Sequence, residues 1–324
     1  MTPPEQPPEQ PPAQPPAQSS AQSARRVVDF VQRFTVEQQA VRGQLVRLGP
    51  AWLALREHGE YPPSVRRLLG EAVSAVVLLA STLKFEGELT LQLQGSGAAR
   101  LLVAQCTHDF RVRAVARFDR ERCEALNEEG DFAALAGEGS IVVTIEADRR
   151  ASRYQGIVPI SGGSLAASIE HYFANSEQLP TSLVLAADDF GVAGLLVQRM
   201  PSVGGDEVEA DRTFAAAMTA LTGVASDELL VRPPEQLMRR AFGGLDLRLH
   251  DTQAVEFRCR CSAQRVWGML RSLGEAEVRS ILTEQGAVTV TCEFCHKPWQ
   301  FDAVDVSRMF GAAIDQAPGS GTVN

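Results

Sequence analysis

FRCRC at 257–261 and TCEFCHKPW at 291–299 decide how the C-terminal part of this chain folds. Together they read C-x-C, thirty intervening residues, then C-x-x-C, supplied by Cys259, Cys261, Cys292 and Cys295. Two cysteine pairs in one small unit suit a tetrahedral four-sulfur zinc site with Zn–S bonds of about 2.3 Å. The second pair sits between VTVT and WQF, which places it in the turn of a hairpin, where backbone wraps round a metal-bound sulfur. Alternation along an extended segment puts Cys259 and Cys261 on one side. Four cysteine ligands leave no position for water or substrate, so a hydrolytic role for this metal is not expected.

Such a site is either a passive staple or a switch, and two features favour the switch. Arg258 and Arg260 bracket Cys259 and Lys297 follows the second pair, so cationic surroundings favour thiolate over thiol. Residues two apart on a strand have Cα atoms about 6.6 Å apart, near the upper limit for a disulfide. Sulfurs sharing a tetrahedral zinc lie about 3.8 Å apart, whereas a disulfide needs about 2.05 Å. Oxidising either pair therefore disrupts the metal site.

Working outward, residues 251–313 form a unit in which two short helices lie between the cysteine pairs. SAQRVWGMLRSL offers Val266, Met269, Leu270 and Leu273, and EAEVRSILTEQG is closed by Gly286. So few apolar residues make a poor core unaided, and a metal would supply the missing stability. Residues 205–250 read as short helical pieces cut by Gly223 and by Pro233 with Pro234. Phe214, Met218 and Leu221 form one apolar stripe, and Leu229, Leu230 and Leu237 follow. Helices this short need a surface to lie on, so the segment is expected to dock on the larger domain as a metastable linker.

Residues 25–204 read as that domain, with strand and helix patterns in turn. VVDFVQRFTVEQQAVRGQLVRL alternates like a half-buried strand. VRRLLGEAVSAVVLLASTL is an amphipathic or buried helix, and ELTLQLQ puts Leu89, Leu91 and Leu93 on one strand face before GSG at 95–97 turns the chain. SIVVTIEA and YQGIVPI are further strands, and Ser164 caps a helix through Leu165, Ile169, Tyr172 and Phe173 that ends before Pro180. The expected fold class is α+β: a mixed N-terminal core domain, a helical linker and a small C-terminal four-cysteine zinc-binding domain. Residues 1–24 contain four tetrapeptides, PPEQ PPEQ PPAQ PPAQ, and read as a disordered Pro/Gln-rich arm. Residues 314–324 read as a disordered tail.

With 324 residues, 44% apolar and 22% charged, the chain can bury a core without disulfides. A formal charge of −9 argues against a nucleic-acid binder. No stretch approaches the ~20 apolar residues of a membrane helix. The opening residues lack a secretory signal pattern, so cytoplasmic residence is the expectation, and there closely spaced cysteines are metal ligands or redox sensors before they are structural bridges.

The chain resembles the redox-regulated thirty-three-kilodalton heat-shock chaperone family of ATP-independent holdases. The resemblance runs from about Asp29 to Phe310. It is carried by AVRGQLVRL at 40–48, STLKFEGELTLQLQGSG at 81–97, RYQGIVPISGGSLAASIEHYFANSEQLPT at 153–181, and the two cysteine motifs. It implies that Cys259, Cys261, Cys292 and Cys295 hold one zinc in the reduced, inactive state. It further implies that oxidation pairs Cys259 with Cys261 and Cys292 with Cys295, releases zinc and unfolds the linker. The protein then binds unfolding clients, commonly as a homodimer, under oxidative and heat stress. One residue departs from the family pattern: His296 stands where glycine is common after the last cysteine, which can strain the knuckle; its side chain reads as an exposed histidine that tunes the site electrostatically before it reads as a competing ligand.

Other signals are weaker. Cys106 and Cys123 have no ligand partner at metal spacing and read as buried thiols. GSG at 95–97 lacks a phosphate-loop lysine, and GGSLA at 162–166 is a poor match to a nucleophile elbow. His58, His108, His171 and His250 are scattered, so no second metal site and no enzyme are expected. Trp267 and Trp299 serve either packing or client binding. The competing function is a constitutive zinc-ribbon interaction module without redox control. A nucleic-acid role for it is opposed by the seven basic and eight acidic residues of 251–313.

Overall fold

The computed structural model describes residues 29–37, 39–126, 131–147, 153–161, 163–201 and 206–311. The Pro/Gln-rich arm and the C-terminal tail lie outside the described residues. The chain starts with β1 (Phe30–Val36) and β2 (Val41–Leu48), then α1 (Pro50–Arg56) and the long α2 (Pro63–Thr82). Next come β3 (Gly87–Gly95), β4 (Ala99–Thr107), β5 (Arg111–Phe118), the single-turn helices α3 (Arg120–Glu124) and α4 (Phe132–Ala136), β6 (Gly139–Ala147) and β7 (Arg153–Pro159). They are followed by α5 (Leu165–Tyr172), a π turn (Phe173–Glu177), β8 (Thr181–Ala187) and β9 (Val192–Arg199). Three helices, α6 (Glu207–Thr222), α7 (Ser226–Val231) and α8 (Pro234–Phe242), lead to β10 (Leu247–Ala254) and β11 (Glu256–Phe257). Last come α9 (Ala263–Leu273), α10 (Glu275–Gln285), β12 (Val288–Thr291), β13 (Pro298–Phe301) and α11 (Ala303–Gly311).

The strands make a five-stranded sheet in the order β10-β1-β2-β9-β8, a six-stranded sheet in the order β11-β5-β4-β3-β6-β7, and the hairpin β12-β13. Helix α2 lies between the two larger sheets and touches β2, β8 and β9 on one side and β3, β4 and β5 on the other. Its sequence explains the position. Pro63 opens the helix at a site that needs no N–H, and Leu68 to Ala80 is apolar almost all round, as a helix buried on every side must be. Ser74 inside that stretch and Ser81 just after it donate their hydroxyls to the carbonyls of Gly70 and Leu78, at 3.1 and 2.7 Å. Gly70 permits close contact with the sheet, since a Cβ there would stand 2.7 Å from Val192 Cγ1. Each fully buried Val or Leu contributes about 1.5–3 kcal/mol.

The outer face of the five-stranded sheet carries a second core. Phe34, Val36, Val41, Leu45, Leu195 and Val197 meet Ala217, Leu221, Leu229, Leu237, Met238 and Phe242 of α6–α8. The three helices thus lie on the sheet, as short helices must. The expectation of a half-buried strand across 27–48 needs correcting. The stretch holds two antiparallel strands, β1 and β2, and β2 is covered on both faces, so even Gln44 and Arg47 are buried. The stripe read on α6 is also different. Met218 is exposed, and the buried line is Ala210, Thr213, Ala217 and Leu221. Residues 247–254, which straddle the expected end of the helical segment, form β10 and pair with β1.

Candidate metal centre

Each cysteine reaches the centre through a local structure that its sequence prescribes. Val288–Thr291 pairs antiparallel with Pro298–Phe301, and the turn between the two strands carries Cys292 and Cys295. Cys292 N–H donates to the Lys297 carbonyl at 3.0 Å, and His296 N–H donates to the Cys292 carbonyl at 2.8 Å. His296 closes this turn at φ 49, the left-handed region that favours glycine. Strand β11 adds in parallel to β5, with Glu256 opposite Arg111 and Phe257 opposite Val112. That pairing delivers Cys259 and Cys261 directly from the edge of the six-stranded sheet, and Ser262 then caps α9 by accepting from Arg265 N–H.

The four sulfurs lie within 4.8 Å of one another, and they are the one cluster among the described residues that could hold a metal ion. Two short approaches cross between the motifs: Cys259 to Cys292 at 3.6 Å and Cys261 to Cys295 at 3.5 Å. Both are close to the ~3.8 Å expected for sulfurs sharing a tetrahedral ion, so the donor set fits such an ion. Without a cation the arrangement disfavours thiolate. Burial pushes the Cys295 thiol up, and the sulfurs of Cys259, Cys261 and Cys292 add to it against a backbone hydrogen bond from Lys297. A cation at the centre would reverse that balance.

The unit around the centre has a small core of its own, made by Val266, Leu270, Val278, Val288, Phe301, Val306 and Met309. Met269 and Leu273, expected in this core, are exposed instead. Trp267 and Trp299 pack against it, and Lys297 Nζ lies 4.3 Å from the Trp299 ring centre. Of the remaining expectations, Cys106 and Cys123 are buried free thiols, the first pushed up by burial. Ser164 caps α5 by accepting from Ala167 N–H at 3.0 Å. No histidine joins a metal-holding cluster among the described residues, and His296 is exposed beside the sulfurs.

The sequence reading missed the surface on which the centre rests. Arg260 Nη1 donates to Glu88 Oε2 at 2.9 Å, Arg113 lies over the Phe294 ring at 4.3 Å, and Arg117 pairs with Glu293. The signal was present in RVRAVARF, where Arg111, Arg113 and Arg117 alternate onto one face of β5.

A two-sheet α+β body that carries a small unit with four clustered thiols defines a class of proteins whose donor set could hold one metal ion. The chain belongs to the Hsp33 family, whose model matches residues 29–302 under the description Hsp33 protein. The 33 kDa chaperonin of Nitrosococcus oceani is 38% identical over 294 residues, 91% of this chain and 98% of that one. The 33 kDa chaperonin of Neisseria meningitidis serogroup B is 38% identical over 88% of this chain and 93% of its own length. The crystal structure of the 33 kDa chaperonin from Thermotoga maritima superposes with a TM-score of 0.75 at 23% identity, covering 89% of this chain and all of that one. That likeness concerns the fold. The relatives' shared name supports a chaperone function. Among the described residues no helix is long and apolar enough to cross a membrane.

Proposed function

We propose that this chain is a redox-regulated holdase that binds unfolding proteins and prevents their aggregation under oxidative and heat stress. The observation that carries the proposal is the gathering of four sulfurs within 4.8 Å in a unit with a small core, in a chain whose preceding helices are held on the five-stranded sheet by one apolar face. Zinc bound by Cys259, Cys261, Cys292 and Cys295 would supply the stability that core lacks. In this reading Cys259 and Cys261 form one disulfide and Cys292 and Cys295 the other. Each bond removes two electrons from a pair of thiolates, and one hydrogen peroxide per bond takes up those electrons and two protons to become two waters. Zinc leaves, and the linker of residues 205–250 detaches from the five-stranded sheet.

Detachment exposes the apolar face of β1, β2 and β9, a surface suited to unfolding chains. Clients, a homodimer in the oxidised state and cytoplasmic residence belong to the same proposal, which assigns the chain no catalytic role, nucleic-acid partner or membrane. The test measures light scattering from a thermally unfolding client enzyme. Reduced, zinc-loaded protein should give no protection, and protein treated with peroxide at mild heat should give strong protection. Equal protection by both forms would support the constitutive zinc-ribbon module instead. Peptide mapping of the oxidised chain decides the pairing, and a Cys259–Cys292 bond would refute the one proposed.

A further inference from the structure

The residues lying between the metal-site cysteines are the same residues that hold the unit on the core. Arg260 stands between Cys259 and Cys261, and Glu293 with Phe294 stands between Cys292 and Cys295. All three face the outer side of the six-stranded sheet, where they meet a row of polar side chains. Thr90, Gln105 and Arg113 lie directly opposite one another across β3, β4 and β5. Gln105 donates to Thr90 Oγ1 at 2.9 Å and accepts from Arg113 Nε at 2.7 Å, which fixes the guanidinium that covers Phe294. Glu88 completes the row, with Oε2 2.9 Å from Arg260 Nη1 and 3.7 Å from Arg113 Nη2.

One carboxylate on β3 therefore touches both the arginine inside the C-x-C motif and the arginine that holds the C-x-x-C turn. Its surroundings give that contact weight. The Glu88 and Arg113 side chains are each only 14% exposed, so solvent screens them little. Arg117 and Glu293, at 61% and 57% exposed, form a pair that contributes little.

We propose that Glu88 and Arg113 are positioning residues of the metal centre: by holding Arg260 and Phe294 they fix both cysteine motifs and set how firmly the four sulfurs retain zinc. The proposal rests on the zinc reading of the centre and not on its redox control. Its physical basis is reciprocity. If the sulfurs at metal spacing hold Arg260 and Phe294 where the sheet can receive them, then loss of the sheet contacts weakens the hold on the metal by the same factor. Drawing either sulfur pair from about 3.8 Å to the 2.05 Å of a disulfide must likewise move the residues between them, and so loosen the unit from the sheet.

The experiment uses the full-length, reduced chain loaded with zinc and follows transfer of zinc to a chromophoric chelator. Glu88→Gln keeps the shape and removes the charge, and at equilibrium with the chelator it should weaken zinc retention about 5-fold or more. Phe294→Ala removes the other half of the contact without touching the sheet, and should do the same. The double variant should retain zinc little more weakly than either single one, because both changes break one chain of contacts through Arg113. Glu37→Gln, which loses an exposed carboxylate near Arg248, should match the unsubstituted chain. Unchanged retention in Glu88→Gln, or fully multiplicative effects in the double variant, would overturn the proposal. Zinc content measured before transfer separates the two ideas. An unsubstituted chain that takes up no zinc overturns the zinc reading and this proposal with it, whereas a zinc-loaded chain that never protects a client leaves the positioning role standing.

Discussion

Phe242→Ala should detach the three helices of the linker segment without any oxidation. Phe242 is 2% exposed at the end of α8, and its ring centre lies 5.5 Å from that of Phe34 on β1. Truncating a buried Phe costs about 3–5 kcal/mol through lost transfer energy and the cavity left behind. At about 1.4 kcal/mol per decade, the population in which α6–α8 are off the sheet rises roughly 150-fold to several thousand-fold. The loss falls on this interface because α2 and the six-stranded sheet belong to a separate core that Phe242 does not enter. Native-state hydrogen exchange on the reduced, metal-loaded chain is the assay. Amides of α6–α8 should lose protection by that factor, while those of α2 and β3 keep theirs. Equal acceleration throughout the chain, or none in α6–α8, would refute the idea that the helices form an independently releasable layer.

Three further outcomes are expected. Cys292→Ser with Cys295→Ser should abolish zinc binding, measured by elemental analysis, and make residues 206–254 sensitive to protease. A double variant that keeps its metal and its resistance refutes the ligand assignment. His296→Val should hasten metal loss, because a β-branched residue in the left-handed region costs about 1–2 kcal/mol, whereas His296→Gly should be tolerated; equal rates would show that the turn imposes no backbone demand. Burial pushes the Glu71 carboxyl up to about 7 against the opposing charge of Arg67. The folded state then keeps a proton that the unfolded chain has released, so the stabilisation is whole below pH 4.5 and is lost as pH rises through 7. Urea titrations should show the unsubstituted chain losing about 1–3 kcal/mol relative to Glu71→Gln between pH 4.5 and 7, and a constant gap would contradict that burial.

The parts of the fold legible in the sequence are those whose signal is local. Leu89, Leu91 and Leu93 alternate on one strand, Ser164 caps its own helix, and the cysteine pairs announce their cluster by spacing alone. What the sequence hides is burial imposed from outside an element. Gln44 and Arg47 make β2 look half-exposed, yet both are buried; α7 lies over Arg47, which donates to the carbonyls of Leu229 and Arg232 at 2.6 and 2.7 Å. Met269 and Leu273 fail in the opposite sense: they keep helical spacing, but the small unit around the sulfurs has no surface left to cover them. Strand β10 escaped notice because its partner is distant. Its weak alternation, Leu247, Leu249 and then polar residues, gains meaning only beside β1.

That pairing also has a consequence during synthesis. Gln32 bonds to the His250 carbonyl across a separation of 218 residues, so β1 leaves the ribosome long before the strand that will cover its outer edge. At 5–20 residues per second the wait is roughly 10–45 s. Throughout it, FVQRFTV presents a bare strand edge to every other nascent chain nearby. A protein whose relatives are named for guarding others would itself pass its first moments with an edge in need of guarding.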